Sequence, residues 1–384
     1  MVGVELTASW QNTRKLNNDE LQVKVTNCIG AWKSGKHLPL VCRPFSINTY
    51  CLSKVWFRTS SVNLRAGDIT AITSKVKSYC YQDLYQKPSE VLLFRSVEDG
   101  GLGLHHLKSK ALAHLIATFL QTACNKQFQK SLFHSWLYKY HVEGDTDLPD
   151  PGFPQFYDKQ FFRIIKEVRN DTPLNPTNMS VNEWYRFLVE KNMTMRLVDQ
   201  EGRMEMIPCK VEEREPQVCW GESYRLSRLL GLSPDSKSFL FKLIHTLLPS
   251  KERVHHLTPT SSPLCWCNNG EHETYLHLFY RCPKNNLAGE ALLRCIQSYD
   301  RNCSEEKSLR LELEADEPFL LAMVTILTTG LELIWENRKN KKTTTLFSIR
   351  SELEAAISLR RKSSSKRIRE AGNIMENMIN NFLI

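Results

Sequence analysis

The chain has 384 residues, 41% of them apolar and 24% charged. At roughly 100–200 residues per domain this is enough for two to four buried cores, and it excludes a disordered, collagenous or repetitive filament protein. The net charge is +9, from 51 basic and 42 acidic residues, so where the basic residues lie matters more than how many there are.

Near the N-terminus, Leu21, Val25, Cys28, Ile29 and Trp32 recur at helical spacing and predict one buried helix face. Phe45 to Phe57 and Ile69 to Leu84 read as further helices. Glycines at 100, 101 and 103 then punctuate the chain before a long apolar stripe from Leu107 to Ala123. These elements form a helical unit over 1–142. Glu143 to Pro154 holds three prolines, two glycines and four acids, which places a linker at 143–157.

A mixed helical connector follows over 158–237. It includes the helical pieces Asp158 to Arg169 and Val181 to Lys191 and a short hairpin within Met195 to Lys210, turning at Glu201-Gly202. Ser238 to Leu248 is a compact apolar helix closed by Pro249, and it opens a cysteine-bearing region over 238–290. Beyond it, helices are expected at Leu287 to Tyr299, Phe319 to Arg338 and Thr344 to Lys362. An acidic separator lies at Ser304 to Pro318, and Ser363 to Ser365 precede a basic tail, which makes 291–384 a C-terminal helical region.

Phe319 to Leu327, the longest apolar stretch, is shorter than the ~20 residues of a spanning helix, so no membrane partner is expected. The first twenty residues contain no apolar secretory segment. The twelve cysteines therefore read as reduced thiols of an intracellular chain, and clustered ones as metal ligands.

Cys265, Cys267, His277 and Cys282 form such a cluster, pairing two thiolates on a turn with a His and a Cys on a helix. Soft sulfur and imidazole donors select zinc, and four protein ligands leave no position for a reactive water, so a structural zinc is expected. His272 competes with His277 as the nitrogen ligand. The Cys-x-Cys spacing is tighter than usual for zinc, and scattered core cysteines are the competing reading.

A second feature is electrostatic. Between Asn337 and Arg369 lie eleven basic residues against Glu352 and Glu354, a surplus equal to the charge of the whole chain. Arg338, Lys339, Lys341, Lys342, Arg360, Arg361, Lys362, Lys366 and Arg367 are the candidate phosphate contacts of this segment, with a solvated helix face as the alternative. The run RRKSSSKRIR also fits a nuclear-import address, which favours the nucleus over the cytoplasm.

Three stretches carry a resemblance to a known family. The first is HTLLPSKERVHHL followed by CWC and HETYLHLFYRCP, with His245, Leu247, Leu248, Pro249, Glu273, Thr274, Phe279 and Pro283 beside the cluster. The second is LPLVCRPFSINTYCLSKVWF, with Arg43, Ile47, Asn48, Ser53, Lys54 and Trp56. The third is LLFRSVEDGGLGLHHLKSKALA. In this order they resemble the thumb and zinc-binding region of LINE-type non-LTR retrotransposon reverse transcriptases. Departures from the pattern are the Cys-x-Cys start and the four residues between His277 and Cys282.

The resemblance implies a mainly α protein made of a thumb-like unit, a linker, a small zinc knuckle and C-terminal helices. It further implies contact with template RNA or target DNA, as in target-primed reverse transcription, through Arg43, Lys54, Lys251 and Arg253. A separate polymerase palm or self-association would be the protein partner. The paired aspartates that hold polymerase metals are absent from the sequence, so no catalytic residue is assigned and the chain is expected not to be an enzyme. The glycine run lacks the Lys and Ser/Thr of a phosphate loop and reads as a tight turn. A domesticated or decaying fragment that scaffolds protein partners is the alternative function.

Overall fold

A computed structural model of the protein describes residues 8–34, 38–59, 64–82, 84–124, 179–190, 195–197, 204–206 and 208–382. The expected linker at 143–157 and the helical piece Asp158 to Arg169 lie outside them. Among the described residues the fold is mainly α.

The first group of helices is α1 (Trp10–Ser34), α2 (Cys42–Ser46), a π-helical stretch π1 (Ile47–Leu52), α3 (Ser53–Thr59) and α4 (Ala66–Cys80). The spaced residues Leu21, Val25 and Ile29 of α1 are all buried, as are Ile47, Leu52 and Val55 of the continuous α2–π1–α3 rod and Ile72 and Val76 of α4. Helix α5 (Glu90–Phe94) begins where Ser89 Oγ accepts the Leu92 N–H at 3.3 Å, satisfying a donor that the first turn leaves free. The glycine loop leads from α5 to α6 (Leu107–Cys124). Helix α7 (Val181–Val189) starts with a reciprocal Ser180–Glu183 cap and packs fully buried Trp184 against the Ala113–Leu120 face of α6.

The expected hairpin exists as strands β1 (Met195–Leu197) and β2 (Met204–Met206), antiparallel with Met195 opposite Met206. The chain continues through α8 (Lys210–Arg214), α9 (Trp220–Leu226), α10 (Pro234–Ile244), α11 (Lys251–Leu257), the π-helical turn π2 (His277–Arg281) and α12 (Asn286–Gln297). It ends with α13 (Glu305–Arg310), α14 (Glu317–Lys339), α15 (Leu346–Arg361) and α16 (Lys366–Phe382). Two of these differ from expectation. The acidic separator contains α13, capped where Ser304 Oγ accepts the Lys307 N–H. The basic tail is helix α16, because Ala371, Met375, Met378 and Ile379 fall at three- and four-residue steps and are buried.

One apolar core runs from Cys209 to Ile379, so the later connector, the cysteine region and the C-terminal helices pack as a single body. Helix α14 is its axis. By length and composition α14 is apolar enough to cross a membrane, but 72% of its most apolar window is buried inside the protein. Each fully buried Leu or Ile here, such as Leu321, Ile326 and Leu331, contributes about 1.5–3 kcal/mol. The N-terminal helices have their own core, and Phe241 and Leu247 from the second body insert into it.

Candidate metal centre

The chain from Pro263 to Asn286 folds around four side chains. Leu264 and His272 pair in an antiparallel bridge, the Cys265 N–H donates to Glu271 O at 2.8 Å, and the Glu273 N–H donates to Pro263 O at 2.9 Å. This small hairpin turns tightly through Asn268 and Gly270, both with positive φ, and holds Cys265 and Cys267 on one side of its tip. The opposing pair comes from π2. There the Cys282 N–H donates to His277 O at 2.6 Å, five residues back, which is the hydrogen bond of a π-turn. The wider turn absorbs the extra residue between His277 and Cys282 and brings both side chains to the same side.

Helix α12 fixes π2 from behind. A Cβ on Gly289 would lie 2.1 Å from Phe279 O, so only glycine lets the two backbones approach this closely. Asn285 Nδ2 also donates to Leu278 O at 3.1 Å.

The donor atoms of Cys265, Cys267, His277 and Cys282 all lie within 4.8 Å of one another, and the group could hold a metal ion. Cys265 Sγ is 3.8 Å from Cys282 Sγ, and Cys267 Sγ is 3.4 Å from His277 Nε2. A tetrahedral site with metal–sulfur bonds of ~2.3 Å and metal–nitrogen bonds of ~2.0 Å has edges of about 3.8 Å between sulfurs and about 3.5 Å between sulfur and nitrogen. Both observed distances fit. His277 Nδ1 meets Glu271 Oε2 at 2.5 Å, which fixes the ring and leaves Nε2 as the donor facing the thiols. Within the thiol pair, the shared hydrogen bond lowers the Cys282 pKa and raises that of Cys265. His272 is exposed and outside the group.

A buried carboxylate anchors the centre to the helices beside it. Glu273 is fully buried, and its Oε1 accepts the Lys251 N–H at 2.8 Å and Arg338 Nε and Nη2 at 2.9 and 2.5 Å. Arg338 Nη2 also donates to Pro249 O at 2.9 Å. The start of α11 and the end of α14 are thereby drawn together next to the cysteine hairpin. Glu271 and Glu273 brace the group, a role that residue type alone did not assign; their place inside the Cys-to-His interval, and for Glu273 its place in the resembling motif, was the available signal.

The basic candidates divide by environment. Arg43 is buried and donates to the carbonyls of Leu38, Cys80 and Gln82. Arg360 is buried and donates to Ala356 O, Gly231 O and Thr325 Oγ1. These two, with Arg338, tie distant segments together and do not present their guanidinium groups to a strand. Arg361 pairs with Glu376, Arg367 with Glu317, and Lys339 with Glu336 at 2.6 Å, all near the surface. Lys54, Lys341, Lys342, Lys362 and Lys366 are exposed, whereas Lys251 and Arg253 are half-buried on α11.

The glycine loop and the helix before the cluster meet. Gly100 O lies 3.0 Å from His245 Nε2, and Arg228 Nη2 donates to Gly101 O. A Cβ at Gly101 would sit 2.1 Å from Arg95 O. His245 stacks on Tyr224, and burial pushes its pKa down to about 4, so the ring is neutral and donates to Gly100 O. The loop is a packed turn between two cores. The chain matches no model of a known protein family and no curated protein.

Proposed function

We propose that the chain is a non-catalytic nucleic-acid-binding protein with a structural zinc knuckle, akin to the thumb-to-zinc region of a LINE-type reverse transcriptase. The observation that carries this reading is the three-thiol, one-imidazole donor set gathered within 4.8 Å, with its Cys265–Cys282 and Cys267–His277 edges at tetrahedral length, built from the residues of the resembling motif. Zinc bound there supplies a closed cross-link and no open position for water.

The chain's own residues do the rest. Glu271 orients His277, the π-turn presents Cys282, and Glu273 gathers the basic start of α11 and the Arg338 to Lys342 turn beside the knuckle. Lys341 and Lys342, exposed on that turn, offer charge to a phosphate backbone, RNA or DNA, with sequence-independent, salt-dependent affinity. Elemental mass spectrometry of the purified chain tests the zinc, with one equivalent expected and loss expected in Cys282→Ser. Binding to single-stranded RNA and DNA across a salt series tests the ligand, and affinity for neither strand would refute the reading.

A second reading has its own support. Phe45, Tyr50 and Phe57, at 67%, 51% and 63% exposure, lie on the α2–π1–α3 rod. Exposed aromatics at that density suit a covering polypeptide such as a polymerase palm or a second copy. Concentration-dependent self-association abolished by Phe45→Ser and Phe57→Ser, without strand binding, would favour this protein-scaffold role.

A further inference from the structure

A cleft of about 140 Å³ opens where three parts of the chain distant in sequence meet. Its wall is formed by the Gln86–Ser89 segment before α5, by one face of α8, and by the turn after α10 with the start of α11. Four of its lining residues are cations: Lys87, Lys210, Arg214 and Arg253. Among the described residues no carboxylate lines it, although α8 carries three glutamates in or next to it, of which Glu213 is exposed to solvent. Glu212 is turned inward to Arg95 and Tyr224, each at 2.7 Å, and Glu215 pairs with Arg310 at 2.6 Å. Among the described residues, no acid pairs with Lys87, Lys210 or Arg214.

Like charges gathered in a concavity repel one another, and the low-dielectric walls of Val211 and Leu247 strengthen that repulsion. Arg253 belongs to this group. It is half-buried, donates to Gln86 Oε1 at 2.5 Å, and has its pKa lowered by burial and by Arg214, with Tyr275 and Glu252 acting the other way. An anion in the cleft removes the repulsion, and Arg and Lys together supply the forked and point-charge donors that phosphate oxygens accept. Tyr85, which immediately precedes Gln86 of the cleft wall, is 49% exposed and held by a hydroxyl contact of 3.1 Å to Thr258 just past α11. A half-exposed aromatic ring next to a phosphate-sized basic cleft suits the base of the same nucleotide unit.

We infer that this cleft is a nucleotide-phosphate seat, in which Lys87, Lys210, Arg214 and Arg253 hold the phosphate and Tyr85 stacks on the base. The inference rests on the nucleic-acid reading above for the source of the phosphate, a strand backbone, while a free nucleotide offers the same chemistry.

The test uses the full chain, short labelled single-stranded RNA and DNA, and ATP and pyrophosphate as free ligands. The variants are Lys210→Ala/Arg214→Ala and Tyr85→Ala. Lys210 and Arg214 are exposed, and circular dichroism checks that folding is unchanged. Each lost phosphate contact on a single strand lowers the slope of log affinity against log salt by about 0.7, so the double variant should lose about 1.4 in slope. Its strand affinity should fall roughly tenfold or more at moderate salt. Tyr85→Ala should weaken strand and ATP binding, leave pyrophosphate binding intact, and leave the slope unchanged.

Strand binding by the double variant with unchanged affinity and slope would overturn the seat while leaving the nucleic-acid reading standing. Binding of ATP and pyrophosphate, lost in the double variant, by a chain that ignores strands would support the seat and refute that reading. Binding of neither strands nor free ligands would overturn both.

Discussion

The Glu273–Arg338 pair permits a quantitative prediction. Glu273 has no exposed surface, and its Oε1 takes two bonds from Arg338 and one from the Lys251 amide. Arg338→Met removes the guanidinium, whose carbon lies 4.5 Å from the Trp335 ring centre, and leaves an unbranched apolar stem in its place. It leaves a buried carboxylate with a single amide partner. Stranding a buried charge in this way costs about 3–5 kcal/mol. Glu273→Gln is milder, about 1–3 kcal/mol, because Arg338 keeps the Pro249 carbonyl and some access to water. Combining the two should cost less than the sum, with a coupling of about 1–3 kcal/mol. Urea unfolding followed by circular dichroism gives the three stabilities, and amide exchange at Lys251 to Val254 reports whether α11 has come loose. An Arg338→Met protein within about 0.5 kcal/mol of wild type, or three costs that simply add, would refute the clamp.

Three further outcomes are expected. Burial, reinforced by Asp235 and Glu336, lifts Glu332 on α14 to about 7 from an ordinary 4.5. The folded chain then holds more protons than the unfolded one between these values, so stability falls as pH rises through that window. Glu332→Gln should recover up to about 3 kcal/mol at pH 8 and nothing at pH 4, read from melting temperature against pH. His245 behaves oppositely: burial depresses its pKa to about 4, so its contribution is complete above pH 6.5 and lost as pH falls toward 4. His245→Gln should shrink that acid loss, and an unaltered acid profile would contradict the buried neutral ring. Gly101→Ala should destabilise by about 1–3 kcal/mol through its collision with Arg95 O, visible as a lowered melting temperature.

What could be read from the sequence was what is local. The four side chains that could hold a metal fall within one short segment, so spacing and donor chemistry picked out the group, and the fold class followed from apolar periodicity in α1, α4 and α14. The gap between His277 and Cys282, a departure from the family pattern, is spanned by a π-turn that brings both side chains to one side. The basic residues were harder to read. Composition does not distinguish a solvated arginine from one that ties segments together, and Arg43, Arg338 and Arg360 find their acceptors up to 129 residues away. Helix α16 was hidden for a similar reason: its charged first turn masks the buried face from Ala371 to Ile379. The cleft of Lys87, Lys210 and Arg214 exists only after folding, because each segment alone carries an unremarkable charge.

The joint between the two cores has a practical consequence for dissecting the protein. Phe241 and Leu247 are shared with the N-terminal core, the Gly100 and Gly101 carbonyls are held by His245 and Arg228, and Arg95 reaches Glu212. A backbone cut anywhere between residues 124 and 179 severs none of these. The two pieces should co-purify and reassemble when mixed, in the manner of a split reporter. A truncation ending near residue 124, expressed alone, would expose the Gly100 loop and the seats of Phe241 and Leu247 and should aggregate until the complementary piece is supplied.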